Sequence, residues 1–270
     1  MIVLEPHGEL TFIRMARSVL GRPVFWTGAY LVHGLLIDCG PPAVGPELCR
    51  VLRDVPLEGL VVTHHHEDHI GGAAWLHAER GLVPRVSEPG LETVRRGFDV
   101  PAYRRFTWGR PTAIAAEPLG VEVEAPGLRF RVIPTPGHSR DHVCFFEPER
   151  GWLFTGDLFL AERLRYLRSD EEVSLLISSL RAAARLQAKQ VFCAHRGPVR
   201  GGTAALVRKA DHLESLRGMV LEGLAQGLPE AEIARRHVGP EGALRWLSGG
   251  EFSARNFVRA IARERGGILC

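Results

Sequence analysis

The sequence has few cysteines and no long apolar run, and each shortage excludes a class of protein. Its five cysteines are odd in number, form no CxxC pair and stand mostly in apolar runs. We therefore expect buried thiols in a reducing compartment rather than a disulfide framework. No stretch approaches the roughly 18 apolar residues that a membrane helix needs, and charged residues interrupt the apolar start of the chain, unlike a signal peptide. We expect a cytoplasmic protein without a membrane partner.

Lysine and asparagine are nearly absent as well. Only Lys189 and Lys209 among the 34 basic residues are lysines, Asn256 is the single asparagine, and the formal net charge is +3. A charge this small does not require a nucleic-acid partner. The bias toward arginine is typical of a GC-rich genome or of a thermophile that avoids thermolabile amides. We interpret it as compositional rather than as a binding surface.

Short apolar runs predict a series of strands up to about residue 200. The runs include YLVHGLLIDCG, LEGLVV, LRFRVIP, VCFFEPERGWLF and KQVFC, and each ends in Gly, Pro or a polar cluster. Helical patterns over residues 46–53, 72–80 and 171–188 lie between them, so the fold class is α/β. EPERG at 147–151 predicts a hairpin turn, which makes part of the sheet structure antiparallel.

Beyond residue 203 the pattern becomes helical, with helices predicted over 206–224, 230–236 and 253–265. We therefore predict a catalytic domain over 1–203 and a small helical C-terminal region over 204–270. Pro229 before EIARR and Ser253 before ARNFVRAIARE resemble the helix starts of a winged-helix unit. Helices of this kind more often pack as a cap than read DNA, and both alternatives stay open.

The strongest chemical signal is THHHEDHIGG at residues 63–72, directly after the apolar run LEGLVV. His64 and His66, two apart at the end of a strand, can turn toward one point. Asp68 and His69, on the following turn, can reach a second point nearby. Imidazole and carboxylate together suit zinc, and iron or manganese would also fit. The motif predicts a metal site.

Three further candidates each follow a strand-like run: His138 in TPGHS, Asp157 in FTGDLF and His195 in VFCAHRG. Side chains at strand ends are positioned by a rigid sheet and remain open to solvent. With the first motif they give five histidines and two aspartates. That complement suits two metal ions that share one carboxylate.

The order HxHxDH, GG, TPGH, TGD and a late His resembles the metallo-β-lactamase superfamily over roughly residues 25–202. The resemblance implies an α/β fold, the four-layer αβ/βα sandwich, with metals at one edge. It also implies two Zn²⁺ per chain and a supporting role for Asp38 in LLIDCG. The implied ligands are His64, His66 and His138 for the first metal, Asp68, His69 and His195 for the second, and Asp157 as the bridge.

The resemblance further implies a zinc-dependent hydrolase in which Asp68 orients a metal-bridging hydroxide. Hydroxyacylglutathione hydrolases, RNase Z-like nucleases and related thioesterases of the superfamily keep the aspartate that Asp157 matches. We place a thioester or another acyl ester first, because a thiolate leaves without a proton. Single-stranded RNA or another phosphodiester comes second. A mononuclear iron sulfur dioxygenase and a non-enzymatic nucleic-acid-binding or regulatory protein remain as alternatives.

Two segments that mix arginine with aromatic residues, 94–110 and 162–168, lie between the ligand-bearing motifs and could form a substrate wall. Tyr103, Arg163 and Tyr166 are the candidates there for a small, phosphate-bearing ester. A solvated loop explains the same residues equally well. His142, near His138, is a candidate for support or for proton donation. The sequence does not indicate an oligomeric state.

Overall fold

The structure is a computed structural model that describes residues 1–267 and divides into two compact units. The first unit comprises Met1–Pro134, Arg140–Asp157 and Ala188–Val199. The second comprises Thr135–Ser139, Leu158–Gln187 and the chain from Arg200 onward. Compactness thus groups part of the predicted catalytic domain with the C-terminal helices. The predicted boundary at residue 203 stays a prediction.

The described chain contains short strands that match the apolar runs of the sequence. In chain order they are β1 (Ile2–His7), β2 (Leu10–Met15), β3 (Ser18–Val19), β4 (Arg22–Pro23), β5 (Thr27–Val32), β6 (Leu35–Ile37), β7 (Gly59–Val61), β8 (Pro84–Val86), β9 (Glu117–Pro118), β10 (Glu122–Ala125), β11 (Leu128–Pro134), β12 (Val143–Glu147), β13 (Trp152–Phe154), β14 (Leu167–Arg168), β15 (Gln190–Cys193), β16 (Gly197–Pro198) and β17 (Phe252–Ser253).

The helices include every one that the sequence predicted, with ends shifted by a few residues. They are α1 (Gly45–Val51), α2 (Glu67–Ile70), α3 (Ala73–Arg80), α4 (Glu88–Arg96), α5 (Ala102–Trp108), α6 (Val173–Arg185), α7 (Gly202–Ala225), α8 (Glu230–His237), α9 (Ala243–Leu247) and α10 (Arg255–Gly267), with a 3₁₀ turn at Pro42–Val44. Helices α2, α4, α5 and α9 were not predicted. Helix α4 carries an overlooked start signal, Ser87 followed by Pro89 in its first turn.

Two mixed sheets form the first unit. The seven-stranded sheet has the order β1-β2-β5-β6-β7-β8-β9, antiparallel from β1 to β6 and parallel from β6 to β9. The six-stranded sheet has the order β10-β11-β12-β13-β15-β16 and is antiparallel except between β13 and β15. Strands β12 and β13 pair across residues 147–152, which confirms the predicted hairpin.

In each sheet, two of the predicted site segments follow two neighbouring parallel strands. Asp38 follows β6 and the histidine motif follows β7, while Asp157 follows β13 and His195 follows β15. The carboxyl ends of parallel neighbours lie at the same edge of a sheet. This topology brings four segments that are far apart in sequence to one place.

Two apolar clusters hold the first unit together. One lies between the sheets and contains Phe12, Tyr30, Phe130, Phe145 and Phe154, all at most 3% exposed. The other packs helices α1, α3 and α4 against the outer face of the seven-stranded sheet. Strand β5 is buried along almost its whole length because both of its faces are covered. The strands that carry the predicted ligands are therefore rigidly supported.

The second unit is mainly helical, built from α6 to α10. Helices α6, α7 and α10 pack against one another, and α8 packs against α7 and α10. The region after residue 203 was predicted to be purely helical, and this is wrong in one detail: the two-residue strand β17 pairs with β14. The proposed likeness to a winged-helix unit stays a prediction.

Cys39, Cys49, Cys144 and Cys193 are buried free thiols, as predicted, and Cys270 lies outside the described residues. Burial raises the pKa of Cys49 to about 11, which keeps that thiol protonated and unreactive. Within residues 1–267, no helix is long and apolar enough to cross a membrane. The reducing compartment stays a prediction.

Candidate metal centre

The histidine motif occupies the turn between β7 and the short helix α2. Buried backbone holds it: Asp38 N–H donates to the Val61 carbonyl at 2.8 Å, and the His69 carbonyl accepts from Cys39 N–H at the same distance. His66 stands immediately before α2, so Asp68 and His69 lie in the first turn of that helix. The turn brings the rings of His64 and His69 close together, with their centroids 4.1 Å apart.

Four predicted ligands of the first unit converge at one point. His195 Nε2 lies 3.2 Å from Asp157 Oδ1 and 3.4 Å from Asp68 Oδ2. His69 Nε2 lies 3.3 Å from the same Asp157 oxygen and 3.7 Å from the same Asp68 oxygen. Each pair consists of one imidazole nitrogen and one carboxylate oxygen, and all four side chains are largely buried. This is the donor chemistry that a divalent metal prefers.

The opposite ring nitrogen of each of these histidines is already engaged. Asp38 Oδ2 accepts from His69 Nδ1 at 2.9 Å, and the Trp26 carbonyl oxygen accepts from His195 Nδ1 at 2.7 Å. A hydrogen bond from Nδ1 fixes the tautomer and leaves the Nε2 lone pair free to bind a metal. Both imidazoles are therefore oriented as metal-binding histidines are.

Asp38 itself is held rigidly. It adopts a left-handed backbone conformation with φ of 61°, which aspartate tolerates better than most residues. Its carboxylate accepts hydrogen bonds from Thr63 N–H at 2.8 Å and from the Thr63 hydroxyl at 3.0 Å. Thr63, which the sequence analysis did not single out, thus ties the end of β6 to the start of the histidine motif.

The two buried carboxylates of the cluster, Asp68 and Asp157, favour a bound cation. Burial opposes ionisation of Asp157, yet the charges of His195 and His69 outweigh it and hold the pKa of Asp157 well below its usual value. Burial likewise opposes protonation of His69, but the charges of Asp157 and Asp68 raise its pKa well above the usual value. The pKa of His195 is raised in the same way. Protons on the imidazoles balance the carboxylates here, and a metal ion can replace them.

His64 and His66 form a second group beside this cluster. His64 Nε2 lies 2.8 Å from His66 Nδ1, and both rings are buried. His64 Nδ1 lies 3.1 Å from the Thr63 hydroxyl. One ligand atom each of His64, His69 and Asp157 lies within 4.8 Å of the others. The residues present therefore fit the metal-binding role that the sequence predicted for them.

His138 belongs to the second unit, in the segment Thr135–Ser139. There Glu171 Oε1 accepts from His138 Nδ1 at 2.6 Å, the same imidazole–carboxylate pairing that His69 makes with Asp38. Arg163 and Tyr166 also lie in this unit; Arg163 is exposed, and Tyr166 packs against Gly242. Sequence reasoning missed Glu171, whose only signal is its place in the turn before α6.

Two further side chains, those of His142 and Asp141, make hydrogen bonds to the ligand-bearing segments. His142 is buried, and its Nε2 accepts a hydrogen bond from Asp157 N–H at 3.2 Å. The Asp141 carboxylate accepts two hydrogen bonds from His65, one from the backbone N–H at 2.7 Å and one from the ring Nδ1 at 2.8 Å. The sequence analysis named His142 but missed Asp141, although the Asp-His pair beside TPGHS repeats the chemistry of the main motif.

Glu67 anchors helix α5 to the motif. Its fully buried carboxylate accepts two hydrogen bonds from Arg104, at 2.7 and 2.5 Å. Burial raises the pKa of Glu67, and Arg104 opposes this effect. Tyr103, the predicted substrate residue, precedes Arg104 on α5 and is half-buried. Its contact with substrate stays a prediction.

Comparison with known proteins agrees with this geometry. The family model of the metallo-beta-lactamase superfamily matches residues 29–195. Hydroxyacylglutathione hydrolase from Pseudomonas putida is 32% identical over 162 residues, 59% of this chain and 56% of that protein. The enzyme of the same name from Legionella pneumophila is 30% identical over 184 residues, 66% of this chain and 64% of that protein. The chain thus spans less than two thirds of these relatives.

Solved structures share the fold. A metallo-beta-lactamase family protein from Thermus thermophilus has a TM-score of 0.64 at 22% identity and covers 96% of this chain and 94% of its own. The metallo-beta-lactamase from Pontibacter korlensis has a TM-score of 0.62 at 20% identity, over 79% of this chain and 99% of its own. With its two mixed sheets and flanking helices, the fold is the predicted α/β sandwich. This chain belongs to the metallo-beta-lactamase superfamily.

Proposed function

We propose that this protein is a dinuclear metal hydrolase that cleaves a thioester or another acyl ester. The convergence of His69, His195, Asp68 and Asp157 carries the proposal, because it sets two buried carboxylates against two imidazoles whose Nε2 atoms face them. The similarity to hydroxyacylglutathione hydrolases supports a small-molecule thioester as the substrate.

Two zinc ions are the proposed cofactors, and iron or manganese would fit the same nitrogen and oxygen donors. When bound, such a pair supplies a Lewis acid for the substrate oxygen and lowers the pKa of a water molecule. The proposed ligands are His64, His66 and His138 for one ion, Asp68, His69 and His195 for the other, and Asp157 for both.

Asp68 is the proposed catalytic residue of this chain. Burial opposes its ionisation, but the charges of His69 and His195 lower its pKa below the usual value, so it remains a carboxylate at neutral pH. In that form it accepts a hydrogen bond from the attacking water, orients the oxygen lone pair toward the acyl carbon and takes the proton that the water loses as the new carbon–oxygen bond forms. The carbon–sulfur bond then breaks with departure of a thiolate.

The position of His142 supports a thioester over RNA. Its Nε2 accepts a hydrogen bond from Asp157 N–H, so that atom does not carry a proton for a leaving group. A thiolate leaves without protonation, whereas the alkoxide of a phosphodiester needs a general acid. Single-stranded RNA therefore remains the second substrate class, and the relatives described above do not support it.

Metal analysis and activity assays on one purified sample test this function. We expect near two zinc ions per chain and hydrolysis within a panel of thioesters that includes acyl-glutathione and acyl-coenzyme A compounds. His66→Ala should lose the activity, and His7→Ala, at an exposed histidine, should keep it. Cleavage of labelled single-stranded RNA alone would select the second class. One iron per chain without hydrolysis would contradict the proposal and favour a sulfur dioxygenase.

A further inference from the structure

The second unit contains a groove of about 360 Å³ that has no part in the hydrolase proposal. Helices α6, α7 and α10 form its walls. Leu221 and Ala225 of α7 and Ile261 of α10 give it an apolar floor. Its volume falls within the range of roughly 300–1,000 Å³ typical of small-molecule sites. Leu221 and Ala225 leave apolar surface open to water, which favours an apolar occupant, while Ile261 is 1% exposed.

Two arginines stand beside this floor. Arg217 lies four residues before Leu221 on α7, and Arg265 lies four residues after Ile261 on α10, so each shares a helix face with an apolar residue of the groove. Neither makes a hydrogen bond or ion pair with any residue in the described range 1–267. A guanidinium group binds a carboxylate through two parallel hydrogen bonds.

The one carboxylate that lines the groove in the described part of the chain is already engaged. Glu264 accepts from Ser174 N–H at 3.0 Å and from the Ser174 hydroxyl at 2.5 Å, one bond to each of its oxygens. Ser174 lies in the first turn of α6, where the helix dipole favours a negative charge. Glu264 thus caps α6, and the two arginines leave the groove with an excess of positive charge.

An apolar floor beside two arginines suits a ligand with an alkyl chain and an anionic end. We propose that this groove binds an unbranched medium-chain carboxylate, with the chain on Leu221, Ala225 and Ile261 and the carboxylate on Arg217 and Arg265. Binding involves no covalent step. The proposal stands whether or not the metal centre is a hydrolase.

Calorimetric titration of the full chain with decanoate tests the proposal. We expect saturable binding of one decanoate per chain and about tenfold weaker binding of 1-decanol, which lacks the charge, equivalent to about 1.4 kcal/mol. Arg217→Gln and Arg265→Gln should each weaken decanoate binding several-fold, and Ala225→Trp should abolish it by filling the groove. Arg235→Gln, at an exposed arginine of α8 outside the groove, should change nothing.

The metal centre provides the second control. The unchanged protein should bind decanoate equally well before and after a chelator removes bound metal, which separates the groove from any binding of the carboxylate to metal. Absence of saturable binding would overturn the proposal. So would equal affinity for decanoate and 1-decanol, or an affinity that Arg217→Gln and Arg265→Gln leave unchanged. Thermal melts of each variant establish that a loss of binding does not reflect unfolding.

Discussion

At the scale of single residues, the metal centre depends on the hydrogen-bond acceptors that orient its histidine rings. Asp38, the Trp26 carbonyl and Glu171 accept from the Nδ1 atoms of His69, His195 and His138 respectively. The sequence predicted only the first, because LLIDCG is a family motif. Every residue has a backbone carbonyl, so the residue type does not indicate that Trp26 is the partner of His195. This partner therefore could not be predicted from the sequence.

Asp38→Asn should weaken metal binding. Asparagine tolerates the left-handed backbone of Asp38 but removes the negative charge that orients His69. Loss of such a partner typically lowers metal affinity about 10- to 100-fold, and we expect this range in zinc competition with a chelator. Asp99→Asn, at an exposed aspartate that pairs with Arg110, is the control. Unchanged affinity in Asp38→Asn would show that His69 needs no charged partner.

Gly156→Ala tests the close packing behind Asp157. Gly156 has φ of 47°, and a Cβ there would lie 2.8 Å from both His142 Nε2 and the Thr63 hydroxyl. Gly127 has φ of 70° with nothing within 4 Å, so Gly127→Ala carries the backbone strain alone. We expect Gly156→Ala to cost about 1–3 kcal/mol more than Gly127→Ala in urea unfolding. Equal losses would show that His142 and Thr63 move aside freely.

At the scale of elements, the ends of β6, β7, β13 and β15 bring the ligand segments together, and the apolar runs predicted all four strands. Sequence analysis did not find α5, because it interpreted the segment 94–110 as a substrate wall or a solvated loop. Its position depends on the buried pair of Arg104 with Glu67, residues 37 apart in the chain. Contacts of this range exist only in the folded state.

Helix α10 depends on a carboxylate cap that should respond to acid. Glu241 accepts from the Ser253 hydroxyl and from the N–H groups of Ala254 and Arg255 at the start of the helix. Burial opposes its ionisation, but the hydrogen bonds from Ser253 and the backbone hold its pKa below the usual value of a glutamate. The carboxylate therefore stabilises the fold at neutral pH, and this contribution disappears as the pH falls through the lowered pKa.

We expect Glu241→Gln to lower the free energy of unfolding by about 1 kcal/mol at pH 7, the usual value of a helix cap. The difference from the unchanged protein should shrink as the pH falls through the lowered pKa of Glu241 and vanish below it, where both side chains are uncharged. Denaturant unfolding at several pH values measures it, with Glu79→Gln, an exposed site on α3, as the control. A difference that does not vary with pH would contradict the role of the charge.

At the scale of the whole molecule, bound metal should stabilise the fold. The carboxylates of Asp68 and Asp157 lie in one buried cluster, and a cation offsets their repulsion. A ligand present at 1,000 times its dissociation constant adds about 4 kcal/mol to stability, so a chelator should lower the melting temperature and zinc should restore it. The double variant His66→Ala, Asp157→Ala, which lacks a proposed ligand of each ion, should respond less than the unchanged protein. If a chelator did not change the melting temperature of the unchanged protein, the proposed metal centre would be contradicted.

The sequence by itself determined the superfamily, the α/β class and the strand ends on which the ligands stand, because these follow from local periodicity and from motifs a few residues long. The resemblance implied that Asp68, His69, Asp157 and His195 share a metal site, and the tertiary structure decided how they meet, with each imidazole Nε2 3.2–3.7 Å from the two carboxylate oxygens. It also decided that two arginines flank an apolar groove between three helices. Such convergence depends on strand order and helix packing, which join residues from distant parts of the chain and which no local pattern encodes.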